Sequence, residues 1–251
     1  HFFCLVNGFD ENFLKNFFGK NFSPRPVTEK HKKAQTFFMK KFIAAALLAL
    51  TAFAALPFIP ARACSPPAQP LEIYLTFDDG PTDSTTPKIL DVLKKENVRA
   101  TFFVVGRQIK GREKILKRTA EEGHSIGIHT YSHRYDEIYA DKAALLKDIE
   151  KCRGAIKKVL PDYNKNLYRF PGGSFLCPSL REAVTRAGYR YYDWNASAGD
   201  AEGRYTAKQL FENAIRTSEG KTPVVLLMHD GVGYKNTVRA LPEIIRRFKN
   251  E

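Results

Sequence analysis

The chain has 251 residues, 43% apolar and 27% charged, the make-up of a globular protein and not of a disordered, fibrous or collagen-like one. Its 40 lysines and arginines against 27 acidic residues leave a formal charge of +13. That surplus suits anionic polymers or a membrane surface, and no nucleic-acid-binding motif accompanies it, so no nucleic-acid partner is expected.

Residues 1–38 are rich in Phe, Asn and Lys and have no period that assigns them to an element; they read as an upstream segment. Met39 is a natural initiator. It precedes Lys40 and Lys41, the apolar run Phe42 to Ile59, and Ala61-Arg62-Ala63. A basic start, an apolar stretch and a small-x-small cleavage site describe a secretory signal peptide over 39–63, so the protein is expected to be exported. The run nearly reaches bilayer-spanning length, which leaves an uncleaved membrane anchor as the alternative. Residues 64–70, with Ser65 to Pro70 rich in proline, form a linker, and 71–251 a single domain. Beyond Ala63 the net charge is about +7.

Leu71 to Phe77 alternates and predicts a first strand; Pro87 to Glu96 has Ile89, Leu90 and Leu93 at helical spacing. Strands are predicted at Ala100 to Val105 and Ser125 to His129, around a basic amphipathic helix at Ile109 to Glu122. Ala143 to Leu160 carries an apolar helical face that Pro161 stops. A short strand at Leu167 to Phe170, a helix near Pro178 to Ala187 and a strand at Tyr189 to Trp194 follow. The chain ends in a helix at Ala207 to Thr217, a strand at Pro223 to Met228 and a helix at Thr237 to Lys249. Six or seven strands interleaved with helices predict an α/β fold, a small or incomplete β/α barrel, with a doubly wound sheet as the alternative. Both architectures gather chemistry at the carboxyl ends of their strands.

Polar residues collect at those ends. The first strand runs into Asp78-Asp79-Gly80-Pro81. Two adjacent carboxylates at a buried strand mouth need a cation, a donor or a proton to neutralise one of them, although the same residues also make a good turn. The third strand ends at His129, with His133 four residues on. Imidazoles at that spacing converge on one ion if the backbone makes a single turn, and with Asp79 they form a two-histidine, one-carboxylate set with open positions for water. Arg169 would keep Asp78 ionised, and Gly172 would let backbone approach a ligand closely. His229 is a further titratable group at a strand end, and Asp200 lies in a loop. No CxxC pair is present; Cys152 and Cys177 are either a disulfide or two small buried residues.

Thr76 to Pro81 (TFDDGP), His129 to His133 (HTYSH), Arg169 to Gly173 (RFPGG) and Leu226 to His229 (LLMH) stand in an order that resembles the polysaccharide deacetylase family, the NodB-homology domain of carbohydrate esterase family 4, over about residues 71–248. The resemblance implies a distorted, incomplete (β/α) barrel and a metal-dependent hydrolase that removes acetyl groups from N-acetylglucosamine units of a cell-wall polysaccharide such as peptidoglycan. It implies Asp78 as general base, His229 as general acid, and Asp79, His129 and His133 as ligands of a divalent metal, zinc by the usual assumption, with cobalt or another ion as alternatives. Arg169 would hold Asp78, Asp200 would keep His229 protonated, Leu227 would line the acetyl-methyl pocket, and the Gly172 amide would help bind the oxyanion. The sequence departs from the family at Ser197 and Ala201, where an aspartate and a tryptophan are usual, and at Gly172, where many relatives carry tyrosine. One wall of the sugar groove is therefore expected to be missing, or rebuilt by Trp194 or Tyr131. Chitooligosaccharide deacetylation, ester deacetylation of xylan, and non-catalytic glycan binding on the same fold are the competing expectations; nothing in the pattern speaks to oligomeric state.

Overall fold

Seven strands, all parallel, form one sheet in the order β5-β4-β3-β2-β1-β7-β6. They are β1 (Ile73–Asp78), β2 (Thr101–Val104), β3 (Ser125–Ile128), β4 (Leu167–Tyr168), β5 (Arg190–Tyr191), β6 (Ala196–Ser197) and β7 (Val224–His229). The computed structural model describes residues 72–250; the upstream segment, the signal and linker expectations, and Leu71 lie outside them. No helix among the described residues is long and apolar enough to cross a membrane.

Strand order decides between the two expected architectures. From β1 to β5 each strand lies beside the one before it, and β6 and β7 continue the same circuit back to the other side of β1. The circle is open between β5 and β6, so this is an incomplete barrel and lacks the reversal of winding that defines a doubly wound sheet. The helices are α1 (Thr86–Lys95), α2 (Glu113–Glu121), α3 (Tyr135–Ile138), α4 (Lys142–Val159), α5 (Pro178–Arg186), α6 (Ala207–Ser218) and α7 (Lys235–Lys249).

Local chemistry accounts for most boundaries. Asp141 caps α4 by accepting from the Ala144 amide at 2.8 Å, and Thr206 with Gln209 makes a reciprocal capping box on α6. Of the elements that differ from expectation, three have a plain local cause. The strand predicted over 189–194 pairs only at Arg190 and Tyr191, because Tyr192 and Asp193 turn their carbonyls to Arg169. The two-residue β6 has no alternation to reveal it; the Asn195 side chain pins it by accepting from the Val225 amide at 2.8 Å and donating to the Pro223 carbonyl. The single-turn α3 is too short for a periodic signal.

β1 and β7 are buried over most of their length, as central parallel strands must be. Phe77 and Phe102 stack at 5.1 Å between ring centroids, and Ile89, Leu93, Ile149 and Leu241 close over the sheet. Cys152 and Cys177 are both free and buried, which corrects the disulfide alternative; Cys152 packs beside Gly106 and points its thiol at the Val104 carbonyl. Phe77→Ala is expected to cost about 3–5 kcal/mol, because a fully buried ring leaves a cavity that its stacked partner cannot fill; urea unfolding followed by circular dichroism measures it.

Candidate active site

The sheet register brings the candidate residues to one rim. Asp78 is level with His229 on β7, and Ile128, which precedes His129, is level with Tyr168, which precedes Arg169. Asp78, Asp79, His129, His133, Gly172, Trp194, Leu227 and His229 line a single cavity of ≈ 280 Å³.

One ligand atom from each of Asp79, His129 and His133 lies within 4.8 Å of the other two. His133 Nε2 is 3.3 Å and His129 Nε2 3.7 Å from Asp79 Oδ1. The His129 ring is fixed from behind: Nδ1 is 2.9 Å from the Arg169 carbonyl, which can only accept, so Nδ1 carries the hydrogen and the Nε2 lone pair faces the cavity. Burial pushes His129 down to about 3, so its imidazole is neutral over the ordinary pH range. Two imidazole nitrogens and a carboxylate with open space beside them fit a divalent cation.

This convergence depends on backbone that side chains rarely adopt. Asp79, Thr130 and His133 have φ of 79°, 66° and 53°, in the left-handed region, which costs on the order of 1 kcal/mol or more each. Asp148 on α4 holds the 130–133 turn, accepting from the Tyr131 and Ser132 amides, and Thr130 Oγ1 accepts from the His133 amide at 3.1 Å. Behind Asp79, Asp230 packs so tightly on Gly80 that a Cβ there would fall 2.0 Å from Asp230 Oδ2. Asp230 accepts from the Thr86 hydroxyl at 2.7 Å, its Oδ1 is buried without a partner among the described residues, and burial raises its carboxyl to about 7.

Asp78 is buried against Arg169, whose Nη1 donates to Asp78 Oδ1 at 3.0 Å and to Thr76 Oγ1 at 2.7 Å. Burial raises the Asp78 carboxyl, and the Arg169 charge and hydrogen bond oppose that rise without cancelling it. Across the cavity, His229 Nδ1 is 2.8 Å from Asp200 Oδ1, while Asp200 Oδ2 accepts from the His229 amide and from the Thr237 hydroxyl. Burial would lower the imidazole, but the Asp200 hydrogen bond and charge, joined by Asp78 and Asp79, outweigh it and lift His229 to about 9. The cavity thus sets a carboxylate with raised proton affinity opposite an imidazolium.

Tyr131 is not in this cavity, which corrects its expected place in the groove wall. With its amide held by Asp148, its ring packs on Gly106 beneath the Lys151 ammonium, 4.0 Å from the ring centroid. Trp194 does line the cavity, beside Ser197, Ala201 and Glu202. Tyr135, Tyr234, Asp148 and Asp230 were missed at the sequence level. Tyr234 stacks on His229 at 5.2 Å and 17°. Of the four, only Asp148 had a signal, as an acid on the side of α4 that also carries Leu145, Ile149 and Cys152.

The family model for polysaccharide deacetylase matches residues 66–192. A peptidoglycan-N-acetylglucosamine deacetylase of Bacillus cereus is 36% identical, over 76% of this chain and 68% of its own length. A peptidoglycan-N-acetylmuramic acid deacetylase of Bacillus subtilis is 37% identical, over 71% and 66%. Among solved structures, a CE4 esterase of Streptococcus mutans superposes with a TM-score of 0.68 at 33% identity, covering 72% of this chain and 83% of that one. The chain spans about two thirds of the length of the curated relatives it matches, from 64% upward in the first three. NMR titration of His229 should give a pKa near 9 in the parent and a markedly lower one in Asp200→Asn, since burial then meets less opposition; an unmoved value would remove Asp200 as the cause.

Proposed function

The chain belongs to the polysaccharide deacetylase family, and we propose that it is a metal-dependent hydrolase that removes the N-acetyl group from N-acetylglucosamine units of peptidoglycan. One observation carries the reading: a candidate two-histidine, one-carboxylate set, a buried Asp78–Arg169 pair and a His229–Asp200 pair open onto the same small cavity. A glycan-binding protein needs no such base, acid and cation set together.

A divalent ion on Asp79, His129 and His133, zinc by its donor set and cobalt as a substitute, would supply Lewis-acid polarisation of the acetyl carbonyl and acidify a water molecule. Asp78, oriented by Arg169, takes the proton of the attacking water, and its raised proton affinity suits that task. The Gly172 amide, in a loop with φ of 73° that lines the cavity, would donate to the developing oxyanion. His229, kept protonated by Asp200, gives its proton to the departing nitrogen, which as an unprotonated amide anion would be a very poor leaving group. Leu227 lines the end of the cavity that takes the methyl. Acetate and a glucosamine unit result.

The relatives' names support peptidoglycan as the polymer, and the positive charge suits an anionic wall. Ser197 and Ala201 leave small side chains at one wall of the cavity, with Trp194 beside them as its aromatic surface. Residues 39–63 support export, with the secreted or envelope-bound chain acting outside the membrane; fusion of residues 39–70 to a reporter active only after export should give active reporter, and reporter retained inside the cell would end that part of the proposal.

Zinc- or cobalt-loaded protein should release acetate and free amine from peptidoglycan or chitooligosaccharides, lose the activity on chelation, and regain it with metal. Asp78→Asn should lower kcat by about 100-fold or more, the usual scale for a lost general base. Mass spectrometry of the products locates the deacetylated sugar; acetate released only from acetylated xylan, or no release from any of these polymers, overturns the reading.

A further inference from the structure

We infer that the Tyr135 hydroxyl is a second hydrogen-bond donor to the oxygen of the reacting acetyl carbonyl, acting beside the Gly172 amide. The inference rests on the deacetylation reading, and the observations that carry it are geometric.

Tyr135 opens α3, two residues after His133, and lines the same cavity as Asp78, Asp79 and His229. Its ring is clamped from two sides. One edge meets His133 at 5.6 Å and 77°, and the other meets Tyr139 at 5.6 Å and 87°. Tyr139 is itself tied to the loop it faces, donating to the Pro171 carbonyl at 2.7 Å, and Ile138 in the same turn is buried in the core. The clamp stations the hydroxyl over Gly172: a Cβ at that position would lie 2.9 Å from Tyr135 Oη and 3.2 Å from Cε1. Glycine at 172 thus both permits the left-handed backbone and vacates the space in which the phenol sits.

Among the described residues neither the Tyr135 hydroxyl nor the Gly172 amide has a hydrogen-bond partner. Two unengaged donors therefore adjoin one another between a candidate metal ligand and the loop of the third motif. A phenol held by ring contacts needs little reorganisation to donate, which is the property that makes a fixed donor effective where negative charge develops. In the step itself, the water oxygen bonds to the acetyl carbon as its proton passes to Asp78, and the carbonyl π pair moves onto the oxygen. Tyr135 and Gly172 each donate a hydrogen bond to that oxygen and transfer no proton. When the carbonyl re-forms, the carbon–nitrogen bond breaks and the nitrogen takes the proton of His229.

The test compares the zinc-loaded parent with Tyr135→Phe, which keeps both ring contacts and removes only the donor, and with Tyr135→Ala, which removes the ring. Steady-state kinetics on chitotetraose, bound metal by elemental analysis, melting temperature, and calorimetric binding of chitotetraose to the metal-free proteins are read together. The expected result for Tyr135→Phe is a kcat about 100-fold lower, with KM, metal content, melting temperature and metal-free binding all within twofold or unchanged. Tyr135→Ala should lose at least as much kcat and raise KM as well. A Tyr135→Phe enzyme with the kcat of the parent overturns the inference and leaves a ring that only walls the cavity. Weaker metal-free binding with kcat intact overturns it in favour of ground-state recognition, and lost metal overturns it in favour of support for His133. A parent that releases no acetate fails the proposed function first, and so is told apart from all three.

Discussion

The site hangs on one buried residue. Arg169 has no solvent exposure, and its guanidinium donates to Asp78, Thr76 and the carbonyls of Tyr192 and Asp193 while lying 4.2 Å over the Phe103 ring. Its main chain is equally committed: the amide donates to the Ile128 carbonyl, and its own carbonyl fixes the His129 tautomer. One residue on β4's exit therefore orients a carboxylate at the end of β1 and an imidazole just past β3. Burying a guanidinium is costly unless its donors are met, and removing one partner of such a pair typically costs several kcal/mol, because the other charge is left stranded. That all-or-none accounting makes the rim rigid where the proposed chemistry needs it.

The rest of the rim adds constraint in the same way. Of the four non-glycine residues in left-handed backbone among the described residues, three, Asp79, Thr130 and His133, lie at or beside the candidate metal set. Their strain is held by neighbours from distant parts of the chain: Asp148 on α4 for the histidine turn, and Asp230 after β7 for the Asp79–Gly80 corner. The barrel contributes rigid strands, and these carboxylates convert strand-end loops into fixed geometry. Beside the gap between β5 and β6, Trp194 just before β6, Ser197 at its end and Glu202 beyond it reach the cavity.

Much of this could be read from the chain without coordinates. Strand and helix order came from hydrophobic period, and the placement of Asp78, Asp79, His129, Arg169 and His229 at strand ends followed from it. The elements that escaped were short ones. β6 and α3 span two and four residues, below the length at which a period exists, and the pairing that defines β6 is supplied by Asn195 and β7. Tyr131 was misplaced for a related reason: proximity to His129 in sequence says nothing of direction, and the turn held by Asp148 sends its ring toward α4.

By itself, then, the sequence determined the alternation of elements, the residue types able to bind a cation or move a proton, and the family to which their order belongs, because these are properties of local pattern and of spacing along one chain. Tertiary structure alone decided that the barrel stays open, that Cys152 and Cys177 remain apart, that Arg169 serves two strands at once, and that Tyr135 and Tyr234 enter the cavity while Tyr131 leaves it. Those outcomes depend on which surfaces meet across the sheet and on which buried polar group finds a partner, and no spacing along the chain encodes a contact made through space.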